Sequence, residues 1–141
     1  MRARHTRLTT HGLSGYLRAV GHALRVSADA GWCDAAEPAT AYLALAQRSP
    51  ERPDRDLLLI WGEQDGWLLA AETDPTETPI VLAYLGGEDI LPPPDTVARF
   101  VTDTVAGHRP GQLHPPGYRR TGEDDDLPDR LAHYADPSAT A

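Results

Sequence analysis

Apolar positions along the chain follow two rhythms. In residues 12–31, GLSGYLRAVGHALRVSADAG, Leu13, Tyr16, Leu17, Val20 and Leu24 recur at spacings of three and four. That spacing gathers them along one side of an α-helix. Thr9 or Thr10 is placed to cap its start, and Gly31 lies beyond its end. Gly15 and Gly21 each lower helix propensity, but facing inward they would allow the helix to approach a sheet closely. Residues 32–38 read as a connection. The pattern then shortens: residues 40–46, TAYLALA, form a strand whose alternation is weak because alanine marks neither face. Residues 49–56, SPERPDRD, are a polar loop in which Pro50 and Pro53 discourage pairing.

The strongest pattern is DLLLIWGEQDGWLLAAE. Two strand-like runs, 57–61 and 67–72, flank a five-residue connection containing Asp65-Gly66, which predicts a β-hairpin. Trp61 and Trp67 flank the turn and can pack across the pair. The unbroken apolar runs imply that both faces are substantially covered. A turn at 73–79 leads to a further strand at 80–85, ended by Gly86 and Gly87. Pro92, Pro93 and Pro94 then stiffen the approach to a second helix, in which Val97, Phe100, Val101, Thr104 and Val105 keep helical spacing. Asp95 is its expected N-cap and Gly107 its stop. Helix, about four antiparallel strands and helix predict an α+β fold, a two-layer sandwich with both helices against one face of the sheet.

Composition changes this picture mainly at the ends. Beyond Gly107 the chain turns rich in proline, glycine and charge, so residues 108–141 are expected to form a disordered acidic tail. Within it, residues 127–134 are expected to become helical on a partner more readily than alone, because short isolated helices are marginal. Truncation after about residue 110 should then preserve the fold. Residues 1–10 read as a basic flexible arm, leaving 11–107 as the compact domain. The formal charge is -8, yet residues 1–28 hold five arginines and no acid, and all 13 basic residues are arginine. No apolar run approaches the roughly 20 residues that span a bilayer. Ser14, Arg18, His22 and Arg25 interrupt what would be a signal-peptide core. A cytoplasmic protein with no membrane partner is expected.

Candidate chemistry is sparse. Cys33 is the only cysteine, which excludes an intrachain disulfide and a four-cysteine zinc site. No histidine pair has the spacing of a metalloprotease helix, so no metal or cofactor is expected. The Glu123-Asp124-Asp125-Asp126 run reads as solvated charge. Glu63 and Asp65 fall at one end of the hairpin and Glu72, Asp74 and Glu77 at the other, so they do not form an acid/base pair. Ser14, Ser27 and Ser49 lack a nucleophile elbow, and Gly86-Gly87 match no phosphate-binding loop. Catalytic residues are therefore not assigned.

The opening GYLRAVGHAL, the tryptophan hairpin and the closing PPPDTVARFV helix together resemble an uncharacterised small-domain family found in actinobacteria. The resemblance spans residues 15–107. It implies a domain boundary and transfers no activity. Two kinds of partner remain. A non-catalytic protein-interaction or regulatory module would use Trp32, Trp61, Trp67 and Tyr84 as contact aromatics, or would self-associate as a homodimer through an exposed strand. A nucleic-acid-associated protein would use Arg2, Arg4 and Arg7, extended along the first helix by Arg18 and Arg25, which share a helical face.

Overall fold

The structure is a computed structural model that describes residues 8–27, 30–36, 38–48, 53–73, 76–108, 110–123 and 125–135. Helix α1 (Thr10–Leu24) begins where Thr9 leaves the extended region and its Oγ1 accepts the Gly12 N–H at 3.0 Å, so one of the orphan donors of the first turn is satisfied. It ends at Arg25, whose backbone turns left-handed at φ 60° and aims its N–H back at the Gly21 and His22 carbonyls. Five strands follow: β1 (Gly31–Asp34), β2 (Thr40–Leu45), β3 (Leu57–Gly62), β4 (Gly66–Ala71) and β5 (Ile80–Tyr84). They form one antiparallel meander in sequence order. Helices α2 (Pro94–Val105) and α3 (Leu127–Ala135) complete the chain.

Strand geometry sorts the side chains by parity, except at one irregularity in β5. On the helix side, the register aligns Ala41, Trp61 and Trp67 in one row and Leu43, Leu59, Leu69 and Ala83 in the next. These residues join Leu13, Tyr16, Val20, Val97, Phe100, Val101, Leu127 and Leu131 in one core. The hairpin connecting β3 and β4 is three residues, Glu63-Gln64-Asp65, closed by Gly66 at φ 71°, a conformation that a Cβ would strain. A register shift between Leu69 and Ala70 leaves Leu82 as the extra residue of β5, and its side chain joins the core.

Buried polar groups stitch the loops to this core. The Trp67 indole N–H donates to the Tyr16 hydroxyl at 3.0 Å, which in turn donates to the Pro92 carbonyl at 2.6 Å. Trp61 donates to the Ile90 carbonyl at 2.9 Å. Burial pushes the Tyr16 phenol far above its ordinary range, although the bond from Trp67 opposes this, so it remains a neutral donor. Tyr16→Phe leaves the Trp67 N–H and the Pro92 carbonyl without this partner. A loss of about 1–3 kcal/mol per orphaned group is expected in urea unfolding; an unchanged midpoint would show that neither bond contributes.

Four expectations are corrected. Residues 31–34 are a strand rather than part of a connection, because antiparallel pairing with β2 matches Trp32 to Tyr42 and Cys33 to Ala41. Pro93 is the N-cap of α2, Pro94 occupies the first helical turn, and Asp95 lies within that turn, where a carboxylate complements the helix dipole instead of capping it. Gly15 faces α3, not the sheet: a Cβ there would run into the Tyr134 carbonyl, and one on Gly12 would lie 2.7 Å from the Leu131 oxygen. Finally, the expected disordered tail contains α3, whose Leu127 and Leu131 are fully buried against α1, so a boundary at Gly107 divides a packed unit. That packing, absent from an isolated helix, is what stabilises nine residues.

Candidate functional site

Opposite the helices, the sheet carries a second apolar surface. The register places Trp32, Tyr42, Ile60, Leu68 and Tyr84 side by side across all five strands. Beside that row run Ala44, Leu58, Ala70 and Val81. None of these nine belongs to the core beneath the helices. Trp32 is 49% exposed, Tyr42 38% and Val81 43%, while Ile60, Leu68 and Tyr84 are half-buried and Ala70 is fully buried. The Trp32 and Tyr42 rings pack with centroids 5.4 Å apart. Among the described residues, helices cover one face alone, yet no residue of β3 or β4 is exposed: Leu58, Ile60 and Leu68 are half-buried and Ala70 is fully buried, in keeping with the expectation that both faces of the hairpin are substantially covered. Leu58, Ile60 and Leu68 complete the apolar run without entering the core.

The four contact aromatics expected from the sequence separate along this division. Trp32 and Tyr84 lie on the open face. Trp61 and Trp67 are directly paired across the hairpin and buried on the other side, at 0% and 2% exposure. Tyr42 and Val81 were not singled out by the sequence, because the alanines around Tyr42 hide its alternation and Val81 lies in a continuous apolar run. Arg18 and Arg25 are both exposed on the helix layer; Arg18 reaches the Ser14 hydroxyl at 3.4 Å and lines, with Trp32, a groove alongside α1. Arg2, Arg4 and Arg7 lie outside the described residues.

Glu63, Arg119, Asp125 and Asp65 are occupied structurally. Glu63 is 2% exposed and takes three donors: the Ala39 N–H at 2.7 Å, the Gly122 N–H at 3.0 Å and Arg119 at 2.5 Å. The same guanidinium is gripped by Asp125 at 2.6 and 2.9 Å and by the Glu123 carbonyl at 2.7 Å. Burial tends to raise the Asp125 carboxyl, but Arg119 and the Leu127 N–H outweigh it and hold it below the ordinary carboxylate range. Asp125 is therefore an ion-pair partner rather than solvated charge, and Asp65 anchors the same segment by accepting the Gly117 N–H at 3.0 Å. Cys33 and His22 both line a groove of about 960 Å³ alongside α1. Burial and the neighbouring Asp34 push the Cys33 thiol up, which keeps it protonated and poorly nucleophilic. Among the described residues, no three His, Cys, Asp or Glu side chains converge on a metal position.

The fold and surface define a two-layer α+β domain with its described helices on one side and, on the other, an apolar sheet face exposed at Trp32, Tyr42 and Val81. The chain belongs to the family of unknown function DUF6292, whose model matches residues 16–103, from within α1 to within α2. Comparison with curated proteins and with solved structures finds no match. No helix among the described residues is long and apolar enough to cross a membrane.

Proposed function

We propose that this protein is a non-catalytic interaction module that docks a protein partner on the open face of its sheet. The observation that supports this is the register row Trp32–Tyr42–Ile60–Leu68–Tyr84, a line of large apolar side chains crossing every strand on the side opposite the helices. Contiguous exposed apolar surface on a small domain marks a contact site, and aromatic residues at its centre supply most of the binding energy. The engaged state of Glu63, Arg119 and Asp125, and the neutral Cys33 and Tyr16, favour binding over catalysis. A cytoplasmic setting and the actinobacterial origin implied by the sequence resemblance accompany this proposal.

The test is quantitative capture from native cells with the full-length tagged protein beside Trp32→Ser/Tyr42→Ser. Both side chains are substantially exposed, so the double variant should lose only about 1 kcal/mol of stability, roughly the worth of one aromatic pair. A stoichiometric protein partner that is retained by the wild type and lost from the folded variant is the expected result. Identical partners for both proteins, or salt-sensitive recovery of nucleic acid in place of protein, would overturn it.

A further inference from the structure

We infer that the groove beside α1 takes an extended acidic peptide segment, which adds to the edge of β1 as a sixth strand. The site lies at the margin of the sheet and does not depend on the docking reading of its open face.

The edge is available for pairing. β1 ends the sheet order and bonds to β2 alone. Among the described residues, no backbone hydrogen bond from outside that ladder reaches Gly31–Asp34. In an antiparallel pair every second residue turns its N–H and C=O away from its neighbour, so β1 presents these groups at the margin. The opposite edge is closed, because Tyr84 and Gln112 exchange both backbone bonds at 2.8 Å. Natural edges are commonly blunted by lysine, proline or a bulge. Gly31-Trp32-Cys33-Asp34 has none of these, and its one carboxylate, at the end of the strand, accepts the Ala36 N–H at 2.9 Å.

Four residues make a short ladder, which alone would hold a peptide weakly. The groove supplies the rest. Its volume is about 960 Å³, and Gly31, Trp32 and Cys33 line it together with Ser14, Arg18 and His22 of α1. The register sets Gly31 and Cys33 on the helix side, level with Leu43 and Ala41, and these small residues leave room between edge and helix. From Ser14 to Ala23, both lining the groove, the helix runs about 14 Å. That is the reach of about four extended residues, and β1 has four.

Charge selects the segment. Arg18 keeps its charge throughout the physiological range, and its described partner is the Ser14 hydroxyl at 3.4 Å rather than a carboxylate. His22, one turn further on the same face, adds an imidazole to this wall. The chain has no acid from Leu8 to Ser27, so this flank is basic on a protein of formal charge -8. Asp95 is the one carboxylate among the described lining residues and stands at the Pro93–Pro94 end. In an added strand, every second side chain would turn toward Arg18 and His22, and the others toward the open side where Trp32 lies. Acidic and apolar residues in alternation fit those two walls. Recognition by strand addition works this way, the backbone giving affinity and alternate side chains giving specificity.

Fluorescence anisotropy of a labelled octapeptide of alternating glutamate and valine, titrated with the full-length protein, tests the inference. At physiological salt, where screening over about 8 Å confines charge effects to the groove, saturable micromolar binding is expected. Methylating every second backbone nitrogen of the peptide, in one of its two phases, should weaken binding at least tenfold with charge unchanged. Arg18→Glu, at an exposed position, should do the same while circular dichroism remains native. Tyr42→Ser, which alters the open face but not the edge, should leave peptide affinity unchanged, so the two sites are read separately. The inference is overturned by no binding at submillimolar protein, or by an affinity that Arg18→Glu or methylation in both phases leaves intact. Loss of binding on Tyr42→Ser would place the peptide on the open face instead, and tighter binding of a single-stranded octanucleotide would assign the groove to nucleic acid; either result overturns it too.

Discussion

Ending the chain at Pro110 is expected to abolish cooperative unfolding, because everything that closes one side of α1 lies beyond that residue. Truncation removes Leu127 and Leu131, both fully buried, and losses of this kind cost about 2–5 kcal/mol per leucine. It strips the backbone cover from Gly12 and Gly15, which lack side chains to shield the helix themselves. It also removes Gln112 from the β5 edge and Arg119 from beside Glu63. Together these losses rival the total stability of an ordinary domain, about 5–15 kcal/mol. The composition boundary at Gly107 predicts the opposite outcome. A two-state thermal transition with native circular dichroism in the 1–110 fragment would show that α3 is dispensable.

Arg119→Met is the second large effect. It leaves Glu63 as a buried carboxylate with two backbone donors and no counter-charge. Breaking a buried pair from one side costs about 3–5 kcal/mol, much of it the desolvated charge left behind. Adding Glu63→Gln should therefore recover part of the loss, since the amide oxygen can still accept a backbone N–H and carries no charge. Urea unfolding of the two single variants and the double variant reads this coupling directly. Additive losses would show that the pair acts independently.

Acid sensitivity follows from the same cluster. The folded-state pKa of Asp125 lies below its unfolded value. The stabilisation this carries is therefore fully present above the ordinary carboxylate range and fades as pH falls toward the lowered value. In Arg119→Met, where the guanidinium that holds Asp125 down is gone, this part of the acid-unfolding curve should flatten.

Much of this fold is legible in the sequence, and what is hidden has identifiable causes. Leu13, Tyr16, Leu17 and Val20 announce α1 because their spacing matches a helix with one buried side. The apolar runs around Gly62 to Gly66 announce the hairpin because the turn chemistry is local. β1 is obscured because four residues, GWCD, are too few to display alternation. α3 is obscured because only Leu127, Pro128 and Leu131 of its nine residues are buried, while the remainder look like the tail around them. Glu63 reads only as a residue of the hairpin turn because its counter-charge is 56 positions away in the chain. The apolar sheet face is half legible. Trp32 and Tyr84 are conspicuous as aromatics, but which tryptophans face the helices depends on strand register, and register becomes definite only once all five strands are paired.

Hydroxyl-radical footprinting of the full-length protein tests the central claim most directly, comparing the dilute chain with its captured or self-associated complex. The docking account predicts that Trp32, Tyr42 and Val81 are modified readily in the dilute protein and become protected together in the complex, while Trp61 and Trp67 stay unreactive in both. Protection confined to the α1 surface around Arg18 and Arg25, with Trp32 and Tyr42 equally reactive throughout, would contradict it.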